Sequence, residues 1–203
     1  MKQILLIALL TGLFGTVQAQ FILGGQFGFG TTQSKSHTGS TSLETDKTST
    51  VTILPRLAYG FSDMWAGLDA GFVYSHSVRP NLPNSNTVVN TSLFKVSPFI
   101  RFIQKPVENI GIWEEAQISG AFGGSETNGS QSDKVSQVAA GIRPGVIFFA
   151  GKHLSFEASF GRFGFTSTRH TNPNNSDNYD TENYFGLDLN QTFIFGVNWA
   201  FSE

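Results

Sequence analysis

The chain has 203 residues, no cysteine, a formal net charge of -2 and only 14% charged residues. This composition excludes disulfides and thiolate metal centres, the basic surface of a nucleic-acid binder and the charge run of an acidic disordered tail. Twenty Phe and 22 Gly point to an all-β protein, because aromatics favour strands and glycines mark turns and crowded sheet interiors.

Residues 1–19 read as a cleavable signal peptide. Lys2 gives a positive start, Ile4 to Phe14 an apolar run, and Val17-Gln18-Ala19 a small-x-small cleavage site. That run is too short to cross a bilayer as a helix, and the cleavage region lacks the cysteine of a lipid anchor. The remainder, 20–203, fits one domain. It has no apolar run approaching ~18 residues, which excludes membrane-spanning helices and leaves alternating strands.

Period-two alternation predicts eight strands, at 21–31, 48–61, 65–77, 92–103, 110–122, 135–149, 154–166 and 184–201. Three connections are short, at 62–64, 104–109 and 150–153. Four are long and polar, at 32–47, 78–91, 123–134 and 167–183. Hairpins alternate ends, so the short turns share one rim and the long loops the other, as in outer-membrane barrels with short periplasmic turns and long extracellular loops. The expected fold is an eight-stranded antiparallel up-and-down transmembrane β-barrel. Gly24-Gly25-Gln26-Phe27-Gly28-Phe29-Gly30 lies in the first strand with no helix after it, so its glycines suit wall packing and not a phosphate loop.

Alternate strands share a pattern: Ile53-x-Pro55-x-Leu57-x-Tyr59, Val96-x-Pro98-x-Ile100-x-Phe102 and Ile142-x-Pro144-x-Val146-x-Phe148. Each sets a proline and an aromatic on the apolar face shortly before a short turn. Proline lacks a ladder donor, so each is expected at a bulge or near a strand end.

The apolar face carries Ala66, Leu68, Ala70, Phe72 and Tyr74 in the third strand and Leu154, Phe156, Ala158 and Phe160 in the seventh. The last strand adds Leu187, Leu189, Phe193, Phe195, Val197, Trp199 and Phe201. The opposite face carries Arg56, Lys95, Arg101 and Arg143 against Asp69, Glu115, Glu157 and Asp188. Eight strands leave an interior that side chains can fill. Four cations against four anions therefore read as a lumen charge network, not a one-signed ion path. Arg56, Asp69, Glu115, Arg143 and Glu157 fall at similar depth counted from the short turns. Structural filling is the bland account of that layer, and a binding or gating cluster the sharper one.

A soluble secreted barrel turns the same alternation inside out, with apolar side chains lining a cup. The aromatics favour the membrane form: Tyr59, Phe61, Trp65, Phe102, Phe148, Phe156, Trp199 and Phe201 crowd toward the short-turn rim, as an interfacial girdle requires. At Ile112-Trp113-Glu114-Glu115-Ala116 strict alternation sends one glutamate toward lipid. A β-bulge at Glu114-Glu115 is expected to turn both inward.

With these strand ends, Val96-Ser97-Pro98-Phe99-Ile100-Arg101-Phe102 and Gly141-Ile142-Arg143-Pro144-Gly145-Val146-Ile147-Phe148-Phe149, the chain resembles the outer-membrane β-barrel (porin-like) domain proteins common in Bacteroidetes. The resemblance covers nearly all of 20–203 and implies residence in the bacterial outer membrane, in contact with its lipid. The final strand, Phe193 to Phe201, resembles the C-terminal signal read by barrel-assembly machinery. It implies that Phe195, Gly196, Val197, Trp199 and Phe201 form that signal and that the machinery is a partner in biogenesis.

Enzymatic readings are thin. His37, His76, His153 and His170 show no metal-ligand spacing. Ser75-His76-Ser77 offers a base and nucleophiles of the kind some lipid-cutting barrels use, although a solvated strand end is the simpler account. No cofactor, metal or catalytic set is expected. Loops 32–47, 78–91, 123–134 and 167–183 are expected to meet any extracellular ligand. Two function classes follow: a structural or surface-interaction barrel with a side-chain-filled lumen, and a narrow porin-like channel for small solutes.

Overall fold

The computed structural model describes residues 19–38, 41–81, 85–173, 175–188 and 193–201. The expected signal peptide, apart from Ala19, and Leu189 lie outside the described residues. Apolar residues recurring at every second position bury one face of a strand and leave no stripe that a helix could bury. The described residues accordingly form ten strands: β1 (Ala19–Thr38), β2 (Thr41–Phe61), β3 (Met64–Asn81), β4 (Ser85–Val107), β5 (Ile110–Thr127), β6 (Ser130–Phe149), β7 (Leu154–Ser159), β8 (Arg162–Asn172), β9 (Asn175–Asp188) and β10 (Phe193–Phe201).

Strands β1 to β7 and β10 form a ring that closes where β10 pairs antiparallel with β1. The fold is an eight-stranded antiparallel barrel, as the alternation predicts. Strand β8 takes over the β6 edge above β7, and β9 pairs with β8. The seventh expected strand thus divides into β7 and β8, and the eighth into β9 and β10. The first division falls at Phe160-Gly161, with Gly161 at φ 67°. There the register steps by one between Gly145↔Ser159 and Ile142↔Phe163, a bulge beside Pro144. Pro55 and Pro98 lie in continuous registers, next to rungs that are skipped between Ile53↔Phe72 and Arg56↔Asp69, and between Val96↔Gly120 and Phe99↔Gln117. A residue without an N–H does least harm in such places.

The four segments expected as long loops are largely strand. The β1–β2 ladder continues to Thr38↔Thr41, β3–β4 to Asn81↔Ser85, β5–β6 to Thr127↔Ser130 and β8–β9 to Asn172↔Asn175. Their polarity concealed β-branched Thr and Val, which suit a pleated ribbon in water as well as in a sheet. Below these extensions hydroxyls also pair between β2 and β3: Thr48 with Ser77 at 2.8 Å and Thr50 with Ser75 at 3.0 Å. Asn128-Gly129 turns the β5–β6 hairpin with φ of 50° and 83°, as a two-residue I′ turn demands.

Exposure settles which face is which. Phe72 is 66% exposed and Phe195 59%, whereas Arg101 and Ile147 are 0% exposed; the apolar face is outside and the charges are inside, the reverse of a soluble cup. On β1 the belt runs from Phe21 through Phe29, matching the ~9–11 residues of a tilted membrane-spanning strand. Phe72 and Phe94 pack edge to face with centroids 5.3 Å apart, and Phe122 packs against Phe94 in a tilted pair at 5.5 Å, along the upper part of the belt. At the short-turn rim Tyr59, Phe102, Phe148, Phe156, Trp199 and Phe201 point outward.

Two expectations are corrected here. Trp65, expected in the girdle, is buried inside the barrel, because it shares the inward face of Gly67 and Asp69. The bulge expected at Glu114-Glu115 does not form: Phe102↔Glu114↔Pro144 and Arg101↔Glu115↔Arg143 are consecutive rungs. Glu114 stays exposed on the outer face. A one-residue slip there exchanges the inner and outer faces of everything beyond it, a larger penalty than one carboxylate near the membrane boundary.

Candidate functional site

Each ring strand contributes one buried polar side chain to a layer across the lumen: Gln26, Arg56, Asp69, Arg101, Glu115, Arg143, Glu157 and Asn198 from β1 to β7 and β10 in turn. Register places them together, since Arg56↔Asp69, Arg101↔Glu115 and Glu115↔Arg143 are direct cross-strand partners. Arg56 donates to both Asp69 oxygens at 2.7 and 2.8 Å, a bidentate pair. Its remaining reach goes to Glu157 Oε1 at 3.0 Å and Glu115 Oε2 at 3.1 Å. Arg101 donates to Glu115 through Nη2 at 2.7 Å and Nε at 3.1 Å, and through Nη1 to Glu157. Arg143 donates through Nη2 to Glu115 and through Nη1 to Gln26 Oε1 at 3.2 Å. Gln26 and Asn198 in turn donate to Glu157 at 2.9 and 3.0 Å.

Three guanidinium groups therefore face three carboxylates, and the layer is formally neutral. Charged groups taken out of water are tolerated only when paired and hydrogen-bonded on most of their valences, a condition met here because each carboxylate receives several charge-assisted donors. On the short-turn side the layer rests on an apolar and aromatic one made of Ile22, Ala58, Trp65, Phe99, Ile103, Trp113 and Ile147. The guanidinium of Arg101 lies 3.8 Å from the centroid of the Trp113 ring and that of Arg56 4.2 Å from Phe99. Two glycines make room. A Cβ on Gly145 meets the Trp113 ring at 2.2 Å, and one on Gly196 meets Glu157 Cγ at 2.6 Å.

Of the eight charges assigned to the lumen from the sequence, six are gathered in this layer. Lys95 stands apart on the long-loop side, and the Asp188 side chain lies outside the described residues, although its backbone pairs with Arg162. The alternation argument names charges and small residues for the lumen face and does not reach Gln26, Asn198 or Trp113, while it sets Trp65 in the outer girdle. Gln26 and Asn198 share the inward face of the charged residues and are cross-strand neighbours of inward rungs, so the same count along the strands reaches them. Of the C-terminal residues, Phe195, Val197, Trp199 and Phe201 face outward and Gly196 faces Glu157; His153 stacks on Trp199 at 5.6 Å. Ser75 and Ser77 bond Thr50 and Thr48, while His76 bonds Asn90 at 2.7 Å. Strand alternation sets the imidazole and the two hydroxyls on opposite faces, so this triplet does not assemble a base–nucleophile pair.

Cavities lie on both sides of the layer. One of about 660 Å³ occupies the short-turn mouth around Trp65, Lys105 and Lys152, and one of about 300 Å³ lies above the charges.

No family model and no curated protein matches the chain. Among solved structures it is similar to the outer membrane protein OprG from Pseudomonas aeruginosa, at 10% identity over 92% of this chain and 97% of that one, with a TM-score of 0.53. It also aligns with Neisserial surface protein A at 11% identity over 90% of this chain and 99% of that one, with a TM-score of 0.44. The likeness to OprG is one of fold, and it agrees with the closed ladder, the apolar outer belt and the polar lumen, which together suit only a chain surrounded by lipid. The protein is an outer-membrane β-barrel.

Proposed function

We propose that this protein is a non-conducting, non-enzymatic barrel that works at the cell surface through its hairpins, the lumen being closed by side chains. The closed layer carries this reading: every ring strand contributes one member, and the charges cancel within it. A pore for ions needs an aqueous path or a rim of one sign, and neither feature belongs to a neutral, buried layer backed by Trp65 and Trp113. The outward ends offer the contact surface. Around Asp133, His170, Tyr179, Asp180 and Glu182 the β6, β8 and β9 ends form a polar hollow of about 410 Å³, and Arg169 lies 3.7 Å from the centroid of the Tyr179 ring. Segments 32–47, 78–91, 123–134 and 167–183 are the places where an extracellular partner engages.

Biogenesis in this reading uses the barrel-assembly machinery, which takes Phe195, Gly196, Val197, Trp199 and Phe201 as its signal, and the strand ends follow the porin-like pattern of Bacteroidetes. Planar-bilayer recording of the purified protein tests the central statement. A baseline without discrete steps is expected, whereas stable single-channel steps overturn it in favour of a narrow porin-like channel for small solutes. Deleting hairpin ends one at a time, scored for surface binding against membrane integrity, then locates the partner-binding segment.

A further inference from the structure

We propose that the outer cavity of the lumen, above the neutral layer, binds a small organic carboxylate through Lys95. The site is built by register. Lys95 on β4 has Gly71 and Ala121 as its cross-strand neighbours, so no bulky side chain beside it fills the space its ammonium reaches. Lys95 and Arg143 both line the cavity, and none of its lining residues is acidic. The carboxylates whose fields reach Lys95, Asp69 and Glu115, are already held by Arg56, Arg101 and Arg143. Arg143 and Arg162 add charge of the same sign as Lys95. Arg143 uses Nη1 and Nη2 within the layer, and its buried Nε has no hydrogen-bond partner. Because the layer beneath is neutral by itself, Lys95 is a surplus cation among the described side chains, held at membrane depth where a counter-charge is worth most.

The rest of the wall specifies what kind of anion fits. Thr50, Thr52, Ser75 and Gln137 supply hydroxyl and amide groups, while Leu54, Leu93 and Ile194 supply apolar surface. A volume of about 300 Å³ stands at the lower end of the ~300–1,000 Å³ common for small-molecule sites. An oxyanion on Lys95 with a compact apolar body over the leucines uses both features; a bare inorganic anion uses only the first.

Calorimetric titration of the full protein, folded in non-ionic detergent at low salt, tests the site with benzoate as probe and benzamide as its neutral counterpart. Benzoate is expected to bind at one site, with benzamide and Lys95→Met each weakening binding at least about tenfold, as loss of a charge-assisted contact requires. Lys95 lies outside the paired layer, so heat-modifiable gel mobility of Lys95→Met is expected to match the parent and establishes that the variant is folded. Equal binding of benzamide, undiminished binding by folded Lys95→Met, or no heat from benzoate at millimolar concentration overturns the proposal. Competition by inorganic phosphate as strong as benzoate's own affinity overturns the apolar half of the assignment. These outcomes are independent of conductance, so the site and the closed lumen stand or fall separately.

Discussion

Glu115→Gln is the most direct probe of the charge layer, because the substitution keeps shape and removes one charge. Glu115 accepts from Arg56 Nη2 at 3.1 Å, Arg101 Nη2 at 2.7 Å and Nε at 3.1 Å, and Arg143 Nη2, all within a side chain that is 0% exposed. An amide replaces one acceptor oxygen by a donor, which then faces a guanidinium, and the layer is left with one uncompensated positive charge. Breaking a buried pair by removing one partner costs about 3–5 kcal/mol, of which the charge-assisted bond from Arg143, lost when the amide nitrogen takes the Oε1 position, accounts for about 1.5–3 kcal/mol. Urea unfolding in thin phosphocholine vesicles, followed by the fluorescence of Trp65 and Trp113, is expected to show that loss. The double variant Glu115→Gln/Arg143→Gln restores neutrality and is expected to recover at least about 1 kcal/mol of coupling. Stability of the single variant within about 0.5 kcal/mol of the parent, or strict additivity in the double, refutes the reasoning.

Three further outcomes follow from the geometry. Gly145→Val drives a Cβ to 2.2 Å from the Trp113 ring and 2.6 Å from the Ala158 carbonyl oxygen; a loss of about 1–3 kcal/mol is expected in the same unfolding assay, and parent-like stability contradicts the packed lumen. Glu114→Leu removes a charge from the lipid side near the short-turn boundary, so a gain of up to about 1 kcal/mol is expected. In the companion variant Glu114→Cys a lipid-restricted reagent is expected to label the thiol, and labelling only by a water-soluble reagent places the residue elsewhere. Replacing Asn128-Gly129, at φ 50° and 83°, by Ala-Ala strains the turn by about 1–3 kcal/mol per residue. Limited proteolysis is expected to quicken at that hairpin while heat-modifiable mobility of the barrel is unchanged.

The alternation was sufficient to find the ring and its inside and outside, because every apolar stripe in β1 to β10 has the same period and the same lipid to face. It also put Arg56, Asp69, Glu115, Arg143 and Glu157 at one depth, since strand position counted from a short turn is nearly a coordinate along the barrel. It did not show how far the strands run. Val88, Val89 and Asn128-Gly129 lie in segments whose polarity points to loop, although β-branched residues and an Asn-Gly dipeptide are strand and hairpin signals in their own right. Glu114 departs from expectation for the opposite reason: the preference to hide one carboxylate is weaker than a register that fixes many residues at once. Nor could alternation reveal which charges pair across the lumen. Arg56 and Glu157 come from β2 and β7, which are not neighbours in the wall, and their contact at 3.0 Å depends on the diameter of the closed ring.

The neutral layer also explains why a lumen this narrow is filled with ions when an apolar filling of similar volume is often as stable or more so. An apolar interior makes both faces of each strand alike, and a strand with two similar faces has nothing to prevent a one-residue slip. With ions inside, a slip of β2, β4 or β6 turns Arg56, Arg101 or Arg143 toward lipid, an outward charge that costs up to about 4 kcal/mol according to its depth, and leaves its carboxylate partners unpaired. Breaking the buried pairs adds about 3–5 kcal/mol, so the penalty for one wrong register is a large part of the roughly 5–15 kcal/mol that stabilises a domain. Held this way, Lys95 keeps its place above the layer and the hairpins keep theirs above the belt, so the side chains proposed to meet ligand or partner are positioned by the charge layer beneath them.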